Sequence, residues 1–121
     1  MAGFIQCNYG GGGGPVEVIT GHETGTAGGT FTVTSQQGKA PKRINVWRED
    51  GTNAFSMWNV QRSGYCLISN YNNGSAWIAV GTAYANCCNP KTIGATSVEI
   101  HFPSTAAYST GKEFYYSVEF E

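Results

Sequence analysis

Short runs of β-branched and aromatic residues recur along the chain, separated by Gly, Asn, Asp, Ser and Pro. This pattern predicts strands over 3–8, 15–20, 30–35, 43–48, 54–60, 65–69, 76–81, 97–102 and 113–120. Eight to nine antiparallel strands of this length suit a β-sandwich or a closed barrel, an all-β fold. Nowhere does an apolar i, i+3, i+4, i+7 pattern persist for three turns, so no long helix is expected.

Three segments alternate cleanly enough to assign faces, because neighbouring side chains on a strand point to opposite sides of the sheet. Phe114, Tyr116, Val118 and Phe120 point one way, and Tyr115, Ser117, Glu119 and Glu121 the other; the first set is predicted core. By the same rule Val98, Ile100 and Phe102 are inside with Glu99 and His101 outside. Phe31 and Val33 are inside, with Thr30, Thr32 and Thr34 outside. In Arg43-Ile44-Asn45-Val46-Trp47-Arg48, burying Ile44 and Val46 sends Trp47 outward with Arg43 and Asn45. An outward Trp beside polar groups is either a binding platform or a patch covered by a loop or a second copy.

Asp50-Gly51 and Asn73-Gly74 are hairpin turn signals, since these residues tolerate positive φ. They predict antiparallel pairing of 43–48 with 54–60 and of 65–69 with 76–81. The Gly-rich stretch 10–14 reads as a flexible loop without the strand-to-helix context of a phosphate-binding loop. With no internal repeat, residues 1–121 are expected to form a single β-sandwich domain.

Composition narrows the chemistry. Only 12% of the residues are charged and the net charge is −1, with 7 Lys and Arg, so there is no electrostatic footprint for a nucleic acid. No stretch approaches the ~18 apolar residues that span a bilayer, which predicts a soluble chain. The N-terminus lacks a basic region followed by an apolar one, so a cytosolic or non-classically secreted protein, or a mature secreted domain with an added Met, is expected. The eight carboxylates are dispersed, and the histidines are His22, in a Gly-His-Glu-Thr-Gly loop, and His101; Cys66 or Cys88 could pair with His101 as a nucleophile, but nothing local marks a cysteine as activated, so no enzyme and no cofactor are predicted.

Cys7, Cys66, Cys87 and Cys88 are disulfide candidates, with Cys7 or Cys66 joined to the Cys87-Cys88 turn, or else small buried hydrophobes. Adjacent cysteines are poor zinc ligands, and Glu49, Asp50 and one amide fall short of the oxygens that calcium takes, so no metal is predicted.

The turns carry the functional lead. Asn70, Tyr71, Asn72, Asn73 and Trp77 lie in one short stretch, and Asp50, Asn53 and Trp47 or Trp58 supply a second set. Amides and a carboxylate exchange hydrogen bonds with vicinal hydroxyls while an aromatic ring covers the apolar face of a pyranose. The same Asn and Gly also serve tight turns with no ligand at all. Asn73-Gly74-Ser75 matches a glycosylation sequon, which matters only in a eukaryotic secretory pathway. Size and composition resemble those of small β-sandwich lectins. The expected function is non-catalytic, lectin-type binding of a neutral glycan or glycoconjugate through hairpin loops, with homo-oligomerisation adding multivalency. Two other readings stand beside it: a small membrane-binding or pore-forming β-sandwich, with membrane contact through glycolipid, and a structural or protein-interaction domain.

Overall fold

The computed structural model describes residues 16–50, 55–62, 65–70 and 74–121, with side chains at 16–50, 65 and 77–121. The predicted strand 3–8 and the loop 10–14 lie outside the described residues. The elements are β1 (Glu17–Thr24), β2 (Thr30–Thr34), β3 (Pro41–Arg48), β4 (Phe55–Arg62), β5 (Tyr65–Asn70), β6 (Gly74–Ala79), β7 (Asn89–Ile93), β8 (Ser97–His101), the single turn α1 (Ala106–Ser109) and β9 (Glu113–Phe120). All ladders are antiparallel. β1, β9 and β3 form one sheet, whose ladder continues through β4, β5 and β6, and β2, β8 and β7 form another. The two predicted hairpins are present as the β3–β4 and β5–β6 pairs.

Neither sheet closes on itself, which corrects the barrel alternative: among the described residues no ladder joins β1 to β6 or β2 to β7. The core instead lies between the β1–β9–β3 sheet and the second one. Phe31 and Val33 of β2 and Val98 and Ile100 of β8 meet Ile44 and Val46 of β3 and Phe114, Val118 and Phe120 of β9 in one buried cluster. Phe31 contacts the Tyr116 ring at 5.3 Å and Phe102 contacts Phe114 at 5.2 Å, so aromatic pairs bridge the layers. The inward sets predicted from alternation are the buried ones, Tyr116 being only partly so.

Three differences from the sequence expectation have physical causes. β1 runs four residues past the predicted 15–20 end because it pairs with β9 along its whole length, from Glu17↔Phe120 to Thr24↔Glu113. His22 is therefore on a strand, not in a loop. Gly21, a strand breaker by propensity, leaves the space that the Tyr116 ring occupies, since a Cβ there would lie 2.5 Å from the Tyr116 hydroxyl. β7 is not expected from the sequence, since Asn-Pro-Lys-Thr-Ile lacks alternation and opens on Asn-Pro-Lys, residues depleted in strands. It forms an edge strand, where Pro and Lys are tolerated, and the Asn89 amide donates to the Thr82 and Pro90 carbonyls beneath the preceding loop. α1 is too short to leave a periodic signal.

Polar anchors complete the frame. Ser35 donates to the half of the Glu17 carboxylate opposite the one that accepts from the Gln36 N–H, and Ser35 itself accepts from the Gln37 and Lys39 amides. These bonds tie β1 to the turn leaving β2, and the Ser35 hydrogen bond in particular holds the Glu17 carboxyl below its ordinary range. At the other end Gly25 exchanges backbone bonds with Lys112 and Gly111, which docks the β1 exit on the α1–β9 turn. A Cβ at Gly25 would sit 2.4 Å from the Ser109 carbonyl oxygen and 2.7 Å from the Phe114 ring, both of them parts of the buried frame. Gly25→Ala is therefore expected to lower stability by about 1–3 kcal/mol through overpacking, read as an earlier urea midpoint at unchanged m-value.

Candidate functional site

The outer face of the β1–β9–β3 sheet follows from the alternation that builds the core. With Phe114, Tyr116, Val118 and Phe120 directed inward, β9 presents Glu113, Tyr115, Ser117 and Glu119 outward. Register sets these against Thr24, His22, Thr20 and Val18 of β1, and sets Tyr115, Ser117 and Glu119 against Trp47, Asn45 and Arg43 of β3. The face thus consists of rows running across the strands, successive rows about 7 Å apart along them.

One row is aromatic from end to end. His22 and Tyr115 have ring centroids 5.6 Å apart with planes tilted by 41°, and Tyr115 and Trp47 are 6.2 Å apart with planes within 19° of parallel. Trp47 and Tyr115 remain 39% and 37% exposed, and the His22 side chain 63%, so the row is open to solvent. On one side it is bordered by Thr24 and Glu113, on the other by Thr20, Ser117 and Asn45.

Glu113 organises the first border. His22 Nδ1 lies 2.6 Å from Glu113 Oε1, and the Thr24 hydroxyl donates to Oε2 at 3.0 Å. The His22 hydrogen bond, then that of Thr24, holds the Glu113 carboxyl below its ordinary range, so it is a carboxylate at neutral pH. A carboxylate only accepts, so Nδ1 carries the proton between them. The ring at the β1 end of the row is thereby oriented by a group on β9.

The sequence-predicted residues are distributed as follows. Trp47 lies in the aromatic row. Asp50, at the end of the β3 hairpin arm, receives both the Nε and Nη2 donors of Arg48, at 3.0 and 2.7 Å, while Arg48 Nη1 donates to the Tyr108 carbonyl. Asp50 thus orients the Arg48 guanidinium, which fastens the strand end to α1. Trp77 is 37% exposed on β6, and the register chain from Arg43 through positions 58 and 67 places it on the same face as Trp47, three strands away. Asn53, Tyr71, Asn72 and Asn73 lie outside the described residues, as does the side chain of Asn70 on β5. Sequence reading missed His22 and Glu113 as partners of Trp47. Alternation did direct Tyr115 outward, but nothing local revealed that β9 lies between β1 and β3.

Cys87 and Cys88 are free thiols, Cys87 partly and Cys88 completely buried, and the side chains of Cys7 and Cys66 lie outside the described residues. Burial, reinforced by the neighbouring Cys87, pushes the Cys88 thiol far up, and burial raises Cys87 as well. Neither is an activated nucleophile. Among the described residues no three His, Cys, Asp or Glu side chains gather as a metal ion requires, and no helix is long and apolar enough to cross a membrane.

Two outcomes follow. Wild type is expected to be more stable than Glu113→Gln near pH 6, because a depressed folded pKa adds stability above the unfolded value. That advantage fades as pH falls through and below the ordinary carboxylate range and Glu113 is protonated; urea midpoints across the series measure it. Cys88 is expected to resist a thiol reagent in the native protein and to react on unfolding, as mapped by mass spectrometry of the labelled peptides. Comparison with protein-family models, curated proteins and solved structures finds no match, so geometry alone informs the function.

Proposed function

We propose that this protein is a non-catalytic carbohydrate-binding module of β-sandwich architecture. It takes a neutral glycan on the outer face of β1, β9 and β3, with the exposed Trp77 as a further contact. The observation that supports this reading is the solvent-open His22–Tyr115–Trp47 row bordered by hydroxyl, amide and carboxylate groups. A contiguous row of exposed rings marks an interaction surface, and the C–H face of a pyranose is an apolar surface that such rings cover. The groups on either side of the row match what the same sugar offers at its rim, hydroxyls that both donate and accept. Scarcity of Lys and Arg across the chain favours a neutral ligand over a polyanion.

A glycan array and affinity electrophoresis in neutral polysaccharides test the proposal. Wild type is expected to be retained, and Tyr115→Ala to weaken retention at least about tenfold, a loss of roughly 1.4 kcal/mol or more. Tyr115 lies on the open face, so its variant is expected to keep the wild-type circular dichroism spectrum. Absence of any glycan hit would overturn the reading, and leakage of dye from neutral liposomes in its place would support a membrane-directed protein.

A further inference from the structure

We infer that the ligand is an internal stretch of a linear, ribbon-like polysaccharide laid across the strands, one sugar to each of His22, Tyr115 and Trp47; this rests on the glycan reading above. The first argument is the direction of the row. Its members occupy paired register positions on three successive strands, His22↔Tyr115↔Trp47, so the row runs perpendicular to the strands. Its centroid spacings of 5.6 and 6.2 Å are on the scale of successive pyranose units in an extended chain.

The second argument is the openness of the face. A module that reads the terminal sugar of a branched glycan must close around that sugar from several sides. Here the aromatic row lies on a sheet surface, bordered by Thr24 and the Glu113 carboxylate on one side and by the short side chains of Thr20, Ser117 and Asn45 on the other. Among the described residues no strand pairs with the outer side of β1, so a chain lying on the row can continue past that end.

The third argument is the placement of polar groups on both borders. An equatorially substituted, β-1,4-linked chain is a flat ribbon with apolar C–H faces and hydroxyls along both edges. One face can lie along Tyr115 and Trp47, whose planes are within 19° of parallel, with the tilted His22 ring as the end contact. The two edges then meet Glu113 with Thr24 on one side and Thr20, Ser117 and Asn45 on the other. An α-1,4-linked chain of the same sugar curls and cannot keep successive units over a straight row. Glu113 has an added task, because its hydrogen bond to His22 holds the outermost ring of the row in place, making His22 a positioned contact.

Isothermal titration with cello-oligosaccharides of one to six units, and with malto-oligosaccharides of the same lengths, tests this. Affinity for the cello series is expected to rise at least about tenfold from one unit to three and then level off, and the malto series to bind more weakly at every length. Trp47→Ala is expected to move the plateau to a shorter chain, since it removes the β3 end of the row. Glycan binding that is as strong for the monosaccharide as for the hexamer would overturn the inference while leaving the glycan reading intact. Tighter binding of the malto series would also overturn it. No binding to any oligosaccharide or polysaccharide would overturn both.

Discussion

Pairing of β9 on both its edges is the constraint on which the described molecule depends. This strand meets β1 at eight register positions and β3 at seven, so its backbone donors and acceptors are satisfied along its length and its side chains have no freedom to change face. Phe114, Val118 and Phe120 are fully buried as a result, and their burial supplies much of the contact between the two sheets. The same commitment drives Tyr115 outward between His22 and Trp47. Core and aromatic row are the two sides of one strand, and a one-residue slip would exchange them.

This coupling bears on how the face could bind. Rings on the outer side of a packed sheet lose little further freedom when covered, so contact with a ligand is not offset by the ordering that a loop would require. The polar anchors extend that rigidity to the edge strand. Glu17 is clasped by Ser35 and the Gln36 amide at one end of β1, and Glu113 draws His22 and Thr24 toward β9 at the other. Both carboxyls are held below their ordinary range by the hydrogen bonds they accept, so β1 is fastened most firmly where both are ionised.

Much of this was legible in the chain. Period-two alternation identified the inward residues of β2, β3, β8 and β9, sent Trp47 and Tyr115 outward, and the turn dipeptides paired β3 with β4 and β5 with β6. What escaped was whatever depended on a distant partner. β7 is a strand because β8 offers it an edge, and β1 continues through Gly21 and His22 because β9 is long enough to pair with them. The loops richest in Asn and Tyr drew attention to hairpin ends, whereas the rings that meet in space come from three separate strands.

Alternation, turn chemistry and the shortage of charge are local or additive properties, and the sequence by itself therefore determined an antiparallel all-β chain with a specified set of core residues and an outward Trp47. Strand order is neither local nor additive. Hydrogen-bond geometry is the same whichever strands pair, so the choice falls to the burial of side chains far apart in the chain. Only the tertiary structure decided that His22 would stand beside Glu113, 91 residues away, and that Tyr115 would join the rings of β1 and β3 into one row.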